Sequence, residues 1–340
     1  MHDKRLMMQI FLLRFWLIAL VTSAIGADEP DLSPEIFAPE IISTDLDESC
    51  GSFGLDGKSF YFVRRGAYTT SPPISLICFS ELRDGKWSHP EVARFSGTYL
   101  DNSPFFAPDG KRLFFASKRP TRANPNSRDW NIWFVEKIDP PSPNSGAASN
   151  RWGEPQEIGE PINTTKNDTN PAVAADGTLY FASDRDGQPG YFHIYRARLI
   201  NGEYEQPEKL GPEINSGEAE INPYISADQK SLIFASYRKD NLAAGGNHYD
   251  RADLYLSFNR DGRWTPARHL EHGINTTASE GNPTVSPDGK WFYFTSERSP
   301  FQVPMKQKLT AASWQDQQHA IENGVGNIYR ISSEALELNR

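Results

Sequence analysis

The chain has 340 residues, 12% of them aromatic, with 25 Gly, 25 Pro and a formal net charge of −9. That length holds one large domain or two ordinary ones, and many turn formers without a long heptad run favour short strands over a helical bundle. An acidic body without a Lys/Arg stripe excludes nucleic acid, whose binding rests on cations displacing counterions, and argues equally against an anionic membrane surface.

Residues 1–27 read as a secretion signal. Lys4 and Arg5 form its charged start, an apolar run at 10–21 is broken only by Arg14, and Ala24, Gly26 and Ala27 offer cleavage points. The run after Arg14 is too short to span a bilayer. The expectation is a periplasmic or extracellular protein, with no membrane insertion of the mature chain and with residues 28–340 forming a single domain.

Five copies of one pattern follow. They are DESCGSFGLDGKSFYFVRRG (47–66), DNSPFFAPDGKRLFFASKRP (101–120), DTNPAVAADGTLYFASDRDG (168–187), EINPYISADQKSLIFASYRKD (220–240) and EGNPTVSPDGKWFYFTSERSP (280–300). In each, a half-apolar run meets a turn at Asp56, Asp109, Asp176, Asp228 or Asp288. An Asp side chain caps such a turn, and a following Gly accepts positive φ. An apolar run then returns, which makes a hairpin of an inner and a second strand. A third strand is expected at Ser75-Leu76-Ile77, Asn131-Ile132-Trp133, His193-Ile194-Tyr195, Asp253-Leu254-Tyr255 and Asn327-Ile328-Tyr329. An outer strand is expected at 87–90, 152–155, 204–207 and 264–266, where an aromatic precedes a Pro that only an edge strand tolerates. The last copy lacks its own outer strand, and residues 37–42 match that pattern, so the N-terminal segment is expected to close the ring and remove the open edges.

Four short antiparallel strands repeated five times describe a five-bladed all-β propeller. The Ser-Pro-Asp-Gly-Lys turn at 286–290, followed by Phe-Thr-Ser-x-Arg and then Asn-Ile-Tyr at 327–329, resembles the WD-like repeat of the TolB propeller. The resemblance spans nearly all of residues 37–333. It departs from that family in blade number, since TolB-type propellers usually carry six, and in lacking the N-terminal α/β domain. It therefore implies the fold and not TolB's partners.

The repeats also align chemistry. At one fixed place ahead of each turn stands an acid: Glu48, Asp101, Asp168, Glu220 and Glu280. Two residues on come Cys50, Ser103, Asn170, Asn222 and Asn282. A Ser-x-Arg ends the second strand, giving Arg119, Arg185, Arg238 and Arg298. The first repeat breaks this register with Arg64 and Arg65 ahead of Gly66. Opening the innermost strands, the acids are expected at one mouth of the central channel. Carboxylates about 8 Å apart would repel by about 2 kcal/mol per pair at an effective dielectric near 20, a cost that forked Arg pairing removes. Two readings stay open. The ring is architecture tying the second strand to the first, or its residual polarity holds a cation, sugar or peptide group.

The long loops between second and third strands leave the same face, where variable loops on a rigid frame carry function. Residues 305–321 could form a short helix over the mouth, and Trp130, Tyr191, His193, His248 and Tyr249 fall at this face. Cys50 and Cys78 lie on strands separated by another strand, too far apart to bridge, so both are expected as buried free thiols. Asn163, Asn167 and Asn275 fit the glycosylation rule. The seven His are scattered without metal-ligand spacing, and no Gly-x-Ser-x-Gly elbow or phosphate loop occurs. No cofactor or metal is expected. The preferred reading is a monomeric binding scaffold for a protein or glycan of the cell envelope. The alternative is a glycoside hydrolase of the five-bladed arabinanase type using Glu48, Asp101, Asp168 and Glu220, which requires carboxyls in unlike environments.

Overall fold

The computed structural model describes residues 32–66, 73–138, 151–216, 218–239, 241–242, 251–300, 305 and 308–338. The secretion signal read in residues 1–27, and the loop residues His248 and Tyr249, lie outside them. Leu32–Arg340 forms one compact unit, a five-bladed propeller of antiparallel blades.

Blade 1 runs from the inside outward as Asp47–Phe53, Ser59–Arg65, Ser75–Arg83 and Glu91–Val92. Blade 2 is Asp101–Phe106, Arg112–Ser117, Asn131–Glu136 and Gln156–Glu157, and blade 3 is Asp168–Val173, Leu179–Ser183, His193–Ala197 and Glu208–Lys209. Blade 4 is Glu220–Ile225, Ser231–Ser236, Asp253–Arg260 and Arg268–His269. Blade 5 takes Glu280–Val285, Trp291–Ser296 and Asn327–Ser332 from the end of the chain and Glu35–Ile36 from its start. The inner strands touch in the order 1-2-3-4-5-1, which closes the ring. The closing strand pairs Glu35 with Arg330 and Ile36 with Tyr329, and Phe37 N–H adds a bond to the Ile328 carbonyl. Closure by the N-terminal segment is thus as expected, but the paired residues precede the 37–42 stretch.

The outer strands differ from expectation in the same direction. The aromatic residue lies in an extension of the third strand, where Trp87 faces Leu82, Trp264 faces Asn259 and Trp152 bridges to Lys137. The outer strand begins only after the Pro. A residue without an N–H therefore occupies the link, and the ladder itself stays free of it.

Large apolar side chains from neighbouring blades form the core. Tyr61, Ile77 and Phe79 of blade 1 pack with Phe115 and Val135 of blade 2 and with Trp152, whose indole donates to the Tyr61 hydroxyl at 2.8 Å. Each such buried side chain contributes about 1.5–3 kcal/mol, and backbone bonds from the start of an inner strand to the preceding blade, such as Asp168 N–H to the Trp130 carbonyl at 2.8 Å and Glu220 N–H to the Phe192 carbonyl at 2.9 Å, add to the hold between blades. Both cysteines are free and buried. No helix among the described residues is long and apolar enough to cross a membrane.

Candidate functional site

The recurring acids do not open onto the channel mouth as a ring. Glu48, Asp101, Asp168 and Glu220 are fully buried and Glu280 is 1% exposed. Each folds back onto the chain just ahead of it. Glu48 accepts from Thr44 N–H at 2.9 Å and its hydroxyl at 2.6 Å, Asp168 from Thr164 at 2.7 and 2.8 Å, and Glu280 from Thr276 at 3.0 and 2.7 Å. Glu220 accepts from Ser216 at 3.1 and 2.5 Å, and Asp101 from the Ser96 hydroxyl at 2.7 Å. The acids thereby pin the turn that delivers each inner strand.

The arginines complete the same locks. Arg64 meets Glu48 at 3.0 Å, Arg119 meets Asp101 at 3.0 Å, Arg185 meets Asp168 at 2.7 Å and Arg298 meets Glu280 at 3.8 Å. Arg238 departs from the set. Its guanidinium donates to the Ile214 carbonyl at 2.9 Å, and His193 Nδ1 lies 3.6 Å from Glu220 Oε2. Arg185, Arg238 and Arg298 also lie over the aromatic pairs Phe181/Tyr195, Phe234/Tyr255 and Phe294/Tyr329, within 4.5 to 5.6 Å of the ring centres. Such stacking suits a planar cation.

The residues two positions after the acids do reach the channel. Cys50, Ser103, Asn170, Asn222 and Asn282 all have φ between 51° and 56°, and each belongs to an irregularity in the pairing of inner and second strands. Asn tolerates this left-handed conformation, which accounts for three of the five. The bulge re-aims successive residues and leaves a polar waist. Cys50 donates to Asn282 Oδ1 at 2.8 Å and to Asn102 Oδ1 at 3.2 Å, and Asn170 donates to Ser103 Oγ at 2.7 Å.

On the loop side of this waist lies a cavity of about 330 Å³. Asn170, Asn222 and Asn282 form part of its wall, with Asp47, Arg65, Glu280 and Glu297 supplying charge and Trp130, Phe192 and Tyr237 supplying rings. Of the sequence candidates, Arg65, Asn170, Asn222, Glu280 and Asn282 line this cavity. Glu48, Arg64, Asp101, Arg119, Asp168, Arg185, Glu220, Arg238 and Arg298 do not. Asp47, Asn102 and Glu297 were not singled out by the repeat. The signal for Asp47 and Asn102 was their place beside an acid, on the opposite face of an alternating strand. The short helix in the 305–321 segment is Ala311–Gln318, and none of its residues lines the cavity. Among the described residues, no three His, Cys, Asp or Glu side chains stand together as metal ligands.

No family model matches the chain. It is similar to the uncharacterized peptidase YuxL of Bacillus subtilis (strain 168), 25% identical over an alignment of 214 residues that covers 57% of this chain and 29% of that protein. The chain therefore spans less than a third of that relative's length. Among solved structures it is similar to a TolB-type protein of Agrobacterium tumefaciens, at 13% identity, 84% and 90% coverage and a TM-score of 0.46. It is also similar to a GH43 endo-arabinanase of Bacillus licheniformis (13% identity, 86% and 94% coverage, TM-score 0.46) and to an α-L-arabinofuranosidase of Lactobacillus brevis (15%, 84% and 90%, 0.49). At these identities the structural likeness concerns fold alone.

Two of the Asn-x-Thr motifs acquire a structural meaning. Asn163 and Asn275, which fit the glycosylation rule, are buried and clamp the third strand by bonding both backbone groups of Ile132 and of Leu254. Asn215 does the same to Ile194. Asn167 instead bonds the Asp184 carboxylate.

Burial pushes the Glu48 carboxyl up to about 7, against the pull of Thr44 and Arg64; it also raises Asp101 and Glu280. The folded Glu48 value lies above the 4.5 of the free side chain, so folding favours its protonated form. Stabilisation from this group is complete below about pH 4.5 and is lost as pH rises through 7. The wild-type melting temperature is expected to fall from about pH 5 to about pH 8 more steeply than that of Glu48→Gln. Equal slopes in a pH series of melts would show that Arg64 keeps the carboxyl ionised throughout.

Proposed function

We propose that this chain is an extracytoplasmic binding scaffold whose loop-rich face engages a glycan or protein segment at the channel cavity. The observation that carries the reading is the division of labour among the polar groups. The recurring acids and arginines are largely consumed inside the blades, whereas the cavity presents amides, rings and both signs of charge on a rigid bulged frame. Concave sites with a few convergent polar groups are where ligands bind, and both signs of charge favour a polar ligand over a simple ion.

A glycoside-hydrolase reading draws on Glu280, the one recurring acid that lines the cavity, since a carboxyl pushed up by burial suits a general acid. Asp47 or Glu297 would then supply the second carboxyl. A thermal-shift screen of the mature chain with oligosaccharides and short peptides tests both readings. A ligand that raises the melting temperature of wild type, with that rise lost in the Asp47→Asn/Glu297→Gln double variant, supports the cavity. Turnover of that ligand, abolished in Glu280→Gln, favours the enzyme. Unchanged rises in the double variant would refute the cavity as the site.

A further inference from the structure

The third strand of blades 2 to 5 carries, at one register position, an aromatic side chain with a polar tip. Trp133, Tyr195, Tyr255 and Tyr329 pair there with Phe115, Phe181, Phe234 and Phe294 of the second strands. In blades 4 and 5 the loop supplies the acceptor that this donor needs. Tyr255 donates to Asn241 Oδ1 at 2.8 Å and Tyr329 to Glu322 Oε1 at 2.5 Å. In blade 3 the Tyr195 hydroxyl makes no hydrogen bond among the described residues, but the loop still sets the Asp186 carboxylate beside it as an electrostatic neighbour.

Blade 2 lacks this arrangement. Trp133 is 8% exposed, and its Nε1–H finds no acceptor among the described residues. Two positions earlier on the same strand, Asn131 is 1% exposed, and its Oδ1 receives no donor among them either. The Asn131 amide nitrogen is already committed to the Asp129 carbonyl at 3.2 Å, so the unfilled acceptor is not relieved by swinging the group to another use. A buried donor or acceptor left unmade carries the full cost of its desolvation.

Both side chains line one cavity of about 730 Å³, outside the channel, between the 121–124 loop and the 155–165 segment that holds the outer strand. Its walls combine Asn124, Gln156, Thr165 and Glu160 with Pro155 and the indole. The neighbouring loop is already braced, because Arg122 N–H donates to Glu157 at 2.8 Å and Asn124 N–H to Thr121 Oγ1 at 3.0 Å. The loop therefore holds itself in place and leaves the indole to something else.

We infer that this lateral cavity of blade 2 is a saccharide site, in which a ligand hydroxyl accepts from Trp133 Nε1 and donates to Asn131 Oδ1. A hydroxyl serves both roles at once. Walls that mix amides, hydroxyls and an aromatic edge, without a cationic cluster, suit a neutral polyhydroxylated ligand rather than an anion. The volume is that of a small-molecule pocket. The site is separate from the channel, and the inference does not rest on the channel reading.

The test is a nitrogen–proton correlation titration of the full mature chain with maltose, cellobiose and lactose. The Trp133 indole resonance is identified by its loss in Trp133→Phe, which keeps an aromatic ring and removes the donor. A saturable shift of that resonance is expected with at least one sugar. Affinity by calorimetry is expected to fall about tenfold in Trp133→Phe and to stay unchanged in Arg196→Ala, whose partner is Glu208 on the outer side of blade 3. Asn124→Ala, on the exposed loop, repeats the test should Trp133→Phe fold poorly, and it should also weaken binding. An indole resonance that no sugar moves, or sugar binding that neither blade 2 variant weakens, overturns the assignment. Binding lost in Asp47→Asn but kept in both blade 2 variants would place the sugar in the channel and equally overturn it.

Discussion

Asp168→Ala is expected to lower the unfolding free energy by about 3–5 kcal/mol, the cost typical of removing one partner from a buried ion pair. The Asp168 carboxylate is fully buried and accepts four hydrogen bonds, from Thr164 N–H at 2.7 Å, Thr164 Oγ1 at 2.8 Å, Ser183 Oγ at 2.6 Å and Arg185 at 2.7 Å. Alanine leaves the guanidinium, already stacked over Phe181 and Tyr195, without its counter-charge, and leaves three neutral donors unmet. The turn that starts the inner strand of blade 3 then loses its anchor. Asn at the same place keeps one acceptor and should cost less. As a control, Arg196→Ala breaks the more exposed pair with Glu208 on the outer side of the same blade, where a change below about 1 kcal/mol is expected. Urea unfolding at unchanged slope measures all three. A loss under about 1 kcal/mol for Asp168→Ala would mean that the acid is not an anchor, and would return the recurring acids to the list of ligand contacts.

The parts of this protein that could be read from sequence are those decided by neighbours along the chain. The turn aspartates behave as expected because the interaction is local. Asp56, Asp109, Asp176, Asp228 and Asp288 each accept a bond from the backbone N–H two residues on. The residue after the Asp takes positive φ even in blade 4, where Gln229 at φ 58° replaces Gly. Blade count, strand order and ring closure follow from repeating that unit. What could not be read is the direction of the site side chains. Strict alternation sends the acid and the residue two places on to one face, but that second residue is itself the first of the bulge, which breaks the count. The acid turns into the blade, while Asn170, Asn222 and Asn282 face the channel. The Asn residues carried a hint, since Asn is enriched at positive φ, but Cys50 and Ser103 hid it. Outer strands of two residues have no period to detect, so their aromatic and Pro landmarks marked the link instead. The Trp133 cavity was invisible for a different reason. It is defined by an acceptor missing from a loop, and a repeat shows what is shared rather than what is lacking.

The second large effect is expected at the closure. Phe37→Ala should lower the unfolding free energy by about 3–5 kcal/mol, the range for truncating a buried Phe. Phe37 is 3% exposed, with its ring 5.1 Å from Phe60 and 5.5 Å from Trp87 of blade 1 and 4.9 Å from Tyr293 of blade 5. The backbone of the closing strand contributes only the pairs at Glu35 and Ile36 and the bond from Phe37 N–H to the Ile328 carbonyl at 2.8 Å. Three residues of ladder cannot hold a strand without a packed side chain, because ordering each residue costs about 1–2 kcal/mol of backbone entropy. Phe37 therefore works as the peg for both the closing strand and the seam between the first and last blades. Phe37→Leu, which refills part of the space, should recover roughly half the loss. Hydrogen exchange separates two ways in which the ring could respond. If the strand detaches alone, amides of Asn327–Ser332 and of the Glu35–Ile36 strand exchange faster while those of Leu179–Ser183 in blade 3 keep wild-type protection. If the ring opens as one body, protection falls in both places by the same free energy. The separate cores between successive blades favour the first outcome, since blade 3 packs on blades 2 and 4 and touches neither side of the closing seam.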